Sequence, residues 1–167
     1  MSKFTPRKLL IYFIIVLFIF LIDRATKIYI LSISENYGEV NIFVNSYLNF
    51  ILVWNTGIGF GLLSFEKLFI YNLITILIII INLIIIYLIY SSYDFRVYFY
   101  LFILGGSLGN LFDRLYYSAV PDFIDLSYKG YHWFIFNVAD IFISIGIIFL
   151  ILIELIDYNT KKNVTKN

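Results

Sequence analysis

Apolar residues run through this chain in long, almost uninterrupted stretches, and polar residues are gathered at a few places between them. A bilayer core about 30 Å thick takes about 20 helical residues to cross. Four stretches approach or exceed that length, at residues 9–31, 68–90, 96–112 and 137–156. The second is almost pure Ile and Leu, with Asn72, Thr75 and Asn82 as its polar exceptions. The third is short, but Phe95 and Tyr98-Phe99-Tyr100 at its start suit a membrane interface. The pattern predicts an all-α membrane protein, a four-transmembrane-helix bundle forming one domain over residues 1–167.

Two segments between these spans, 32–67 and 113–136, hold most of the polar and turn residues. The first is too long to be structureless in a small protein. Residues 48–54 are apolar and aromatic enough for a strand, with Asn55-Thr56-Gly57 as the turn after it. For 58–63, a returning strand and a short surface helix both stay open, because Gly57, Gly59 and Gly61 weaken each. A small extracytoplasmic β-element on the bundle is expected, and the polar tail from Asn159 is expected to fray.

Orientation follows from the cations. Lys3, Arg7 and Lys8 precede the first span, Arg96 lies at the second connection, and Lys161, Lys162 and Lys166 follow the fourth. An even number of spans puts all of them on one side, which the positive-inside rule makes cytoplasmic, with both termini inside and 32–67 and 113–136 outside. The first run is read as a retained helix rather than a cleaved leader: no small-x-small site follows it, and Asp23-Arg24-Ala25-Thr26-Lys27 leads into further apolar residues.

Composition sharpens the same picture. The chain is 62% apolar and 14% charged, with a mean hydropathy of +0.92, outside the range of ordinary soluble domains. A net charge of +1 leaves no electrostatic footprint for nucleic acid. With no Cys there is neither a thiolate nucleophile nor a Cys-based metal site, and a single His132 supplies metal ligation and His-based triads poorly. No metal or organic cofactor is expected.

Candidate chemistry lies near the span ends. Asp23 and Lys27 are four apart and share a helix face, where a structural ion pair is favoured over a catalytic one. Arg24 points about 100° away and is expected to snorkel to headgroups. Gly105 and Gly109 form a small-residue face for close helix contact. Asn110 and Arg114 follow, four apart, with Asp113 beside them; lipid-phosphate binding and substrate orientation are equally open for Arg114. Asn137 and Asp140 are three apart and face one way. If the segment bearing Asp122 folds back over that face, two carboxyls converge beside Asn110, Asn137 and Arg114. Two close carboxyls share a proton and titrate as a unit, the state an aspartic hydrolase needs. Spacing alone leaves a proton relay or helix glue as alternatives.

Five segments in order, Asp23-x-x-x-Lys27, Asn55-x-Gly57-x-x-Phe60-Gly61, Gly109-Asn110-Leu111-x-Asp113-Arg114, Val120-x-Asp122-Phe123-Ile124-Asp125 and Phe136-Asn137-Val138-Ala139-Asp140, make the chain resemble the lipoprotein signal peptidase family, signal peptidase II. The resemblance implies that Asp122 and Asp140 are a catalytic dyad. It also implies that Asn55, Asn110, Arg114 and Asn137 line the pocket for substrate or inhibitor, leaving Asp23, Lys27 and Asp113 as structural polar residues. The implied reaction removes the signal peptide from diacylglyceryl-modified prolipoproteins, before the lipidated Cys. It takes place in the bacterial inner membrane among its lipids, and the cyclic peptide globomycin inhibits it. The chain departs from the family pattern at Arg24, where Gln is usual, at Ile58-Gly59, where a small pair is usual, and at Pro121, where Val is common. Of Asp122 and Asp125 the resemblance selects Asp122, so Asp125 is expected to turn toward the loop or water as an acceptor for nearby backbone. A small ion or proton transporter using Asp23, Lys27, Asp113, Arg114 and Asp140 is the alternative, and a structural assembly subunit the third reading. A transporter would place ionisable groups near mid-membrane, whereas the second span has none.

Overall fold

Within residues 5–57 and 67–164, which the computed structural model describes, the elements run α1 (Pro6–Tyr37), β1 (Asn41–Asn45), β2 (Leu48–Asn55), α2 (Lys67–Ser91), α3 (Arg96–Tyr117), β3 (Val120–Tyr128), β4 (Tyr131–Phe136) and α4 (Val138–Val164). Each apolar stretch of the sequence becomes one helix. The region 58–63, where strand and helix stayed open, lies outside the described residues.

Helix ends follow local chemistry rather than hydropathy. Thr5 caps α1 by accepting the Lys8 N–H at 3.3 Å, and Pro6 occupies the first turn, where a missing N–H goes unnoticed. The helix continues past residue 31 through Ser32, Ser34 and Asn36 until Gly38, at φ 82°, returns its N–H to Ser34 O at 2.8 Å. At the other end of the chain the polar tail does not fray at Asn159, because α4 persists to Val164 with Lys161 and Lys162 in its last turn, where cations favour the helix. Arg96, at the start of α3, pairs with Asp157 of α4 and ties the two helices at that end of the bundle.

Among the described residues, α1, α2 and α4 are long and apolar enough to cross a membrane. α3 falls short of that hydropathy because it holds Gly105, Gly106, Ser107, Gly109, Asn110, Asp113 and Arg114. It is the inner helix, packed on α1, α2 and α4 at once, so its face need not meet lipid. The glycines make that contact possible. A Cβ at Gly105 would stand 2.8 Å from the Ile19 Cβ, one at Gly109 would stand 2.5 Å from Asp23 Oδ2, and one at Gly106 would stand 2.5 Å from the Ala139 carbonyl oxygen. Two glycines therefore seat α1, as the small-residue spacing predicts, and a third seats α4.

The all-α expectation is corrected: the fold is mixed, with a four-stranded antiparallel sheet in the order β1-β2-β3-β4 built from both polar segments. The strand expected at 48–54 is β2. β1 and β4 escaped because β1 is only five residues long and β4, Tyr-His-Trp-Phe-Ile-Phe, does not alternate in hydrophobicity. Lys129 and Gly130, both at positive φ (51° and 81°), form the tight turn joining β3 to β4. Ile30 of α1, Val40 and Phe123 of β3 make a small core that fastens the sheet to the bundle.

Gly106→Ala is expected to be the most damaging of these glycine substitutions, since its neighbour is backbone and α4 must move away. The expected loss is about 1–3 kcal/mol of stability, the usual scale of overpacking. A thermal midpoint in detergent equal to that of the parent would show that the α3–α4 contact is looser than described.

Candidate active site

The ion pair expected between Asp23 and Lys27 is present and belongs to something larger. Lys27 is wholly buried, and its ammonium donates to Asp23 Oδ2 at 2.9 Å, Asp113 Oδ2 at 2.7 Å and Asn110 Oδ1 at 2.8 Å. Three donors meet three acceptors, which is what a buried ammonium requires. Arg24 does not snorkel. It turns inward, with Nη1 2.5 Å from Asp113 Oδ1 and its guanidinium over the Phe112 ring at 5.0 Å, because Asp113 from α3 offers a second carboxylate oxygen inside the bundle. Two cations thus balance two carboxylates. The remaining oxygen of Asp23 accepts the Ala139 N–H of α4 at 3.0 Å.

Asp140 sits in the first turn of α4 and is held by its cap. Asn137 accepts the Asp140 N–H through Oδ1 at 3.1 Å while Asp140 Oδ2 accepts the Asn137 N–H at 3.1 Å, a reciprocal capping box. Asn137 Nδ2 is left free to donate to Asp122 Oδ1 at 2.6 Å. One amide therefore spans the two aspartates. The other Asp140 oxygen accepts from Asn110 Nδ2 at 2.8 Å, and the other Asp122 oxygen from Asn55 Nδ2 at 2.9 Å. Burial pushes the Asp122 carboxyl up to about 6, against the lowering effect of the Asn55 and Asn137 hydrogen bonds; the neighbouring Asp140 charge adds to the rise, and Lys27 opposes it.

Asn55 reaches Asp122 because of an irregularity in the sheet. Phe50 pairs with Ile124, but Val53 pairs with Asp122 and Asn55 with Val120, so β2 carries one extra residue between Phe50 and Val53. Strand side chains alternate, and the extra residue moves Val53 and Asn55 onto the face of Asp122. The Asn55 side-chain Oδ1 then accepts the Gly57 N–H at 2.7 Å, which confirms the expected turn and fixes which end of the amide faces the carboxylate. Asp125, three residues from Asp122, faces elsewhere. It is wholly buried and bonded to Asn49 Nδ2 at 3.2 Å and His132 Nδ1 at 2.8 Å, so its partners are side chains of β2 and β4 rather than the loop backbone expected for it. Pro121 is accommodated in the same strand.

Asp122, Asp140 and Asn55 open onto a cleft of ≈ 560 Å³ between the sheet and α4. Its remaining lining is apolar apart from Ser144: Leu126 and Phe134 to Phe136 on the sheet, and Ile141, Ile145 and Ile148 down one face of α4. Ser144 and that isoleucine stripe were not singled out in the sequence, although Ser144 lies four residues beyond Asp140 and the isoleucines recur at helical spacing among themselves. Asn110 and Asn137 brace the carboxylates. Arg114 is set apart, its guanidinium against Gly57 and over the Tyr71 ring at 5.5 Å, while Tyr71 Oη donates to the Arg114 carbonyl oxygen at 2.5 Å. Among the described residues no group of three His, Cys, Asp or Glu converges as metal ligands.

A family model described as signal peptidase (SPase) II matches residues 15–156, which takes in the whole arrangement of cluster, carboxylates and cleft. The lipoprotein signal peptidase of Pelagibacter ubique (strain HTCC1062) is 47% identical over 167 residues, covering 100% of both chains. The lipoprotein signal peptidase of Wigglesworthia glossinidia brevipalpis is 40% identical over 153 residues, covering 89% of this chain and 92% of its own. A solved bacterial membrane enzyme, determined by the in meso method at 2.3 Å, superposes with a TM-score of 0.71 at 29% identity, covering 90% of each chain. With the full length of the chain matched in sequence and nearly all of it in fold, the protein belongs to the signal peptidase II family, the aspartic peptidases that cleave the signal peptides of prolipoproteins.

Proposed function

We propose that Asp122 and Asp140 are the catalytic carboxyls of this peptidase. The observation that carries the assignment is that Asn137 joins the two carboxyls, its side-chain amide donating to Asp122 and its backbone N–H to Asp140, beside a cleft that both aspartates line. One carboxyl is ionised and takes a proton from water as the water oxygen attacks the scissile carbonyl carbon. The other is protonated and donates a hydrogen bond to the developing oxyanion. Collapse of that intermediate breaks the C–N bond, with a proton passing to the leaving amine. A carboxyl at about 6 is poised for such work, since both forms are populated near neutrality.

The family supplies the substrate class, and the cleft supports it. A diacylglyceryl-modified prolipoprotein is held in the membrane by its acyl chains, and its scissile bond lies just before the lipidated Cys. The Ile141, Ile145 and Ile148 stripe offers an apolar wall leading from the carboxyls along α4 for those chains. Asn55 meets the peptide beside Asp122, Asn110 and Asn137 complete the polar floor, and Arg114 binds substrate or globomycin from the side of Gly57. In this reading α3 is a fourth crossing, sheltered by the other three helices. The protein lies in the bacterial inner membrane, with both termini cytoplasmic and the sheet and cleft outside, in contact with membrane lipids.

In a cleavage assay on a lipidated prolipoprotein peptide, followed by mass shift, the parent should cleave and globomycin should block it. Asp122→Asn and Asp140→Asn should lose essentially all turnover while remaining folded, whereas Asp125→Asn should keep a substantial fraction. Activity surviving in either of the first two variants would remove that residue from the chemistry. A reporter after Asn167 should read cytoplasmic and one at residues 38–39 extracytoplasmic; the reverse would place the cleft on the wrong side. The raised Asp122 carboxyl also predicts a pH effect. Its folded value of about 6 exceeds the ordinary 3.8, so its contribution to stability is full at low pH and lost as pH rises through about 6. Asp122→Asn should therefore raise the thermal midpoint more at pH 7.5 than at pH 4, and a pH-independent difference would mean that the carboxyl is not penalised by burial.

A further inference from the structure

Asn110 is an amide with a cation on one side and a carboxylate on the other. Its Oδ1 accepts from the Lys27 ammonium at 2.8 Å and its Nδ2 donates to Asp140 Oδ1 at 2.8 Å. Turning the amide over would place an NH2 group against the ammonium and a carbonyl oxygen against the carboxylate, two repulsive contacts in place of two hydrogen bonds. The orientation of Asn110 is therefore not free. The same cluster grips the first turn of α4 a second way, through Asp23 Oδ1 and the Ala139 N–H at 3.0 Å, one residue before Asp140. Asp23 is itself anchored by Lys27 at 2.9 Å.

We infer that Lys27 is a positioning residue for the peptidase reaction: it fixes Asn110 as an obligatory donor to Asp140 and so sets the rotamer of that carboxyl toward Asp122 and the cleft. The inference rests on the reading of Asp140 as catalytic. Lys27 touches neither aspartate of the proposed dyad and does not line the cleft, so its hydrogen bonds reach them only through its neighbours. The charged and titratable groups around Asp140 all take part in the arrangement: Asp23, Arg24 and Lys27 from α1, Asp113 from α3 and Asp122 from β3. Because Lys27 and Arg24 balance Asp23 and Asp113, the cluster has no net charge, and Lys27 reaches the carboxyl as a fixed dipole through Asn110 rather than as a direct ion pair. A merely structural lysine, pinning α1 to α3, would have no reason to be coupled to Asn110 in catalysis.

A double-mutant cycle in kcat separates the two roles. Lys27→Met and Asn110→Ala should each lower kcat by about ten- to a hundredfold, the effect of losing one hydrogen bond to a charged group, with a smaller change in KM. Combined, they should lower kcat little further than Asn110→Ala alone, because the route from Lys27 to Asp140 is already cut. If the losses multiply, Lys27 acts independently of Asn110 and the inference fails. Should Lys27→Met not fold, because it strands two buried carboxylates, the cycle is run with Lys27→Met/Asp113→Asn against Asp113→Asn, each with and without Asn110→Ala; the double substitution removes one cation with one carboxylate and stays neutral, and multiplying losses overturn the inference there too. Asp140→Asn is assayed alongside. Turnover by that variant overturns the catalytic reading itself, whereas an inactive Asp140→Asn with multiplying losses overturns only the role of Lys27.

Discussion

An ammonium group buried among helices must find an acceptor for every proton or lose its charge, and the rest of this structure is arranged around meeting that demand for Lys27. Its three acceptors come from α1 and α3, and one of them, Asp23, also takes a backbone N–H from α4. Three helices are thus fixed by one cation. Removing one partner of such a buried set typically costs about 3–5 kcal/mol, because the others are left charged and dry. Approach of this kind needs space, and Gly109 provides it where α3 passes Asp23, as Gly106 does where α3 passes the Ala139 carbonyl. The small residues of α3 and the charges of α1 form one device: the first admit the contact and the second make it specific.

Lipid is a severe solvent, and the features it dictates were the ones legible in the sequence. Long apolar runs located all four helices, although their ends were set by caps and polar turns that hydropathy does not register, as at Gly38 and Asn137. Asp23 and Lys27 were legible as a pair because four residues make one helical turn. Their third partner, Asp113, was not, since it comes from a different helix. Arg24 shows the same limit in reverse: on an isolated helix it faces away from the pair, and only the arrival of Asp113 gives an inward rotamer its carboxylate. The sheet was half visible. β2 has the composition of a strand, but β1 is short and β4 is aromatic without alternation, so neither announces itself before its partners are known.

The candidate site was legible as a set of residue types and not as a geometry. Asn137 and Asp140 share a face at three-residue spacing, and the reciprocal cap follows from that spacing. That Asn55 would meet Asp122 depends on one extra residue in β2, which switches the face on which the end of the strand presents its side chains. No period in the sequence encodes that switch. Asp122 and Asp125 differ by an odd number of residues in a strand, so their opposite fates do follow from alternation, with Asn49 and His132 waiting for the second.

Every hydrogen bond that the described structure gives the Asp122 and Asp140 side chains comes from an uncharged donor: the side-chain amides of Asn55, Asn110 and Asn137 and the Asn137 backbone. A lysine or arginine in direct contact would hold a carboxylate ionised and prevent two neighbours from sharing a proton. Amides orient without imposing charge. The cations that stabilise this end of the bundle, Arg24 and Lys27, are instead paired with Asp23 and Asp113, and the hydrogen bonds of Lys27 lead to Asp140 only across Asn110. The fold thereby separates two electrostatic tasks that conflict if they share a site. Full charge is used where the helices must be locked, and neutral dipoles are used where a proton must remain free to move.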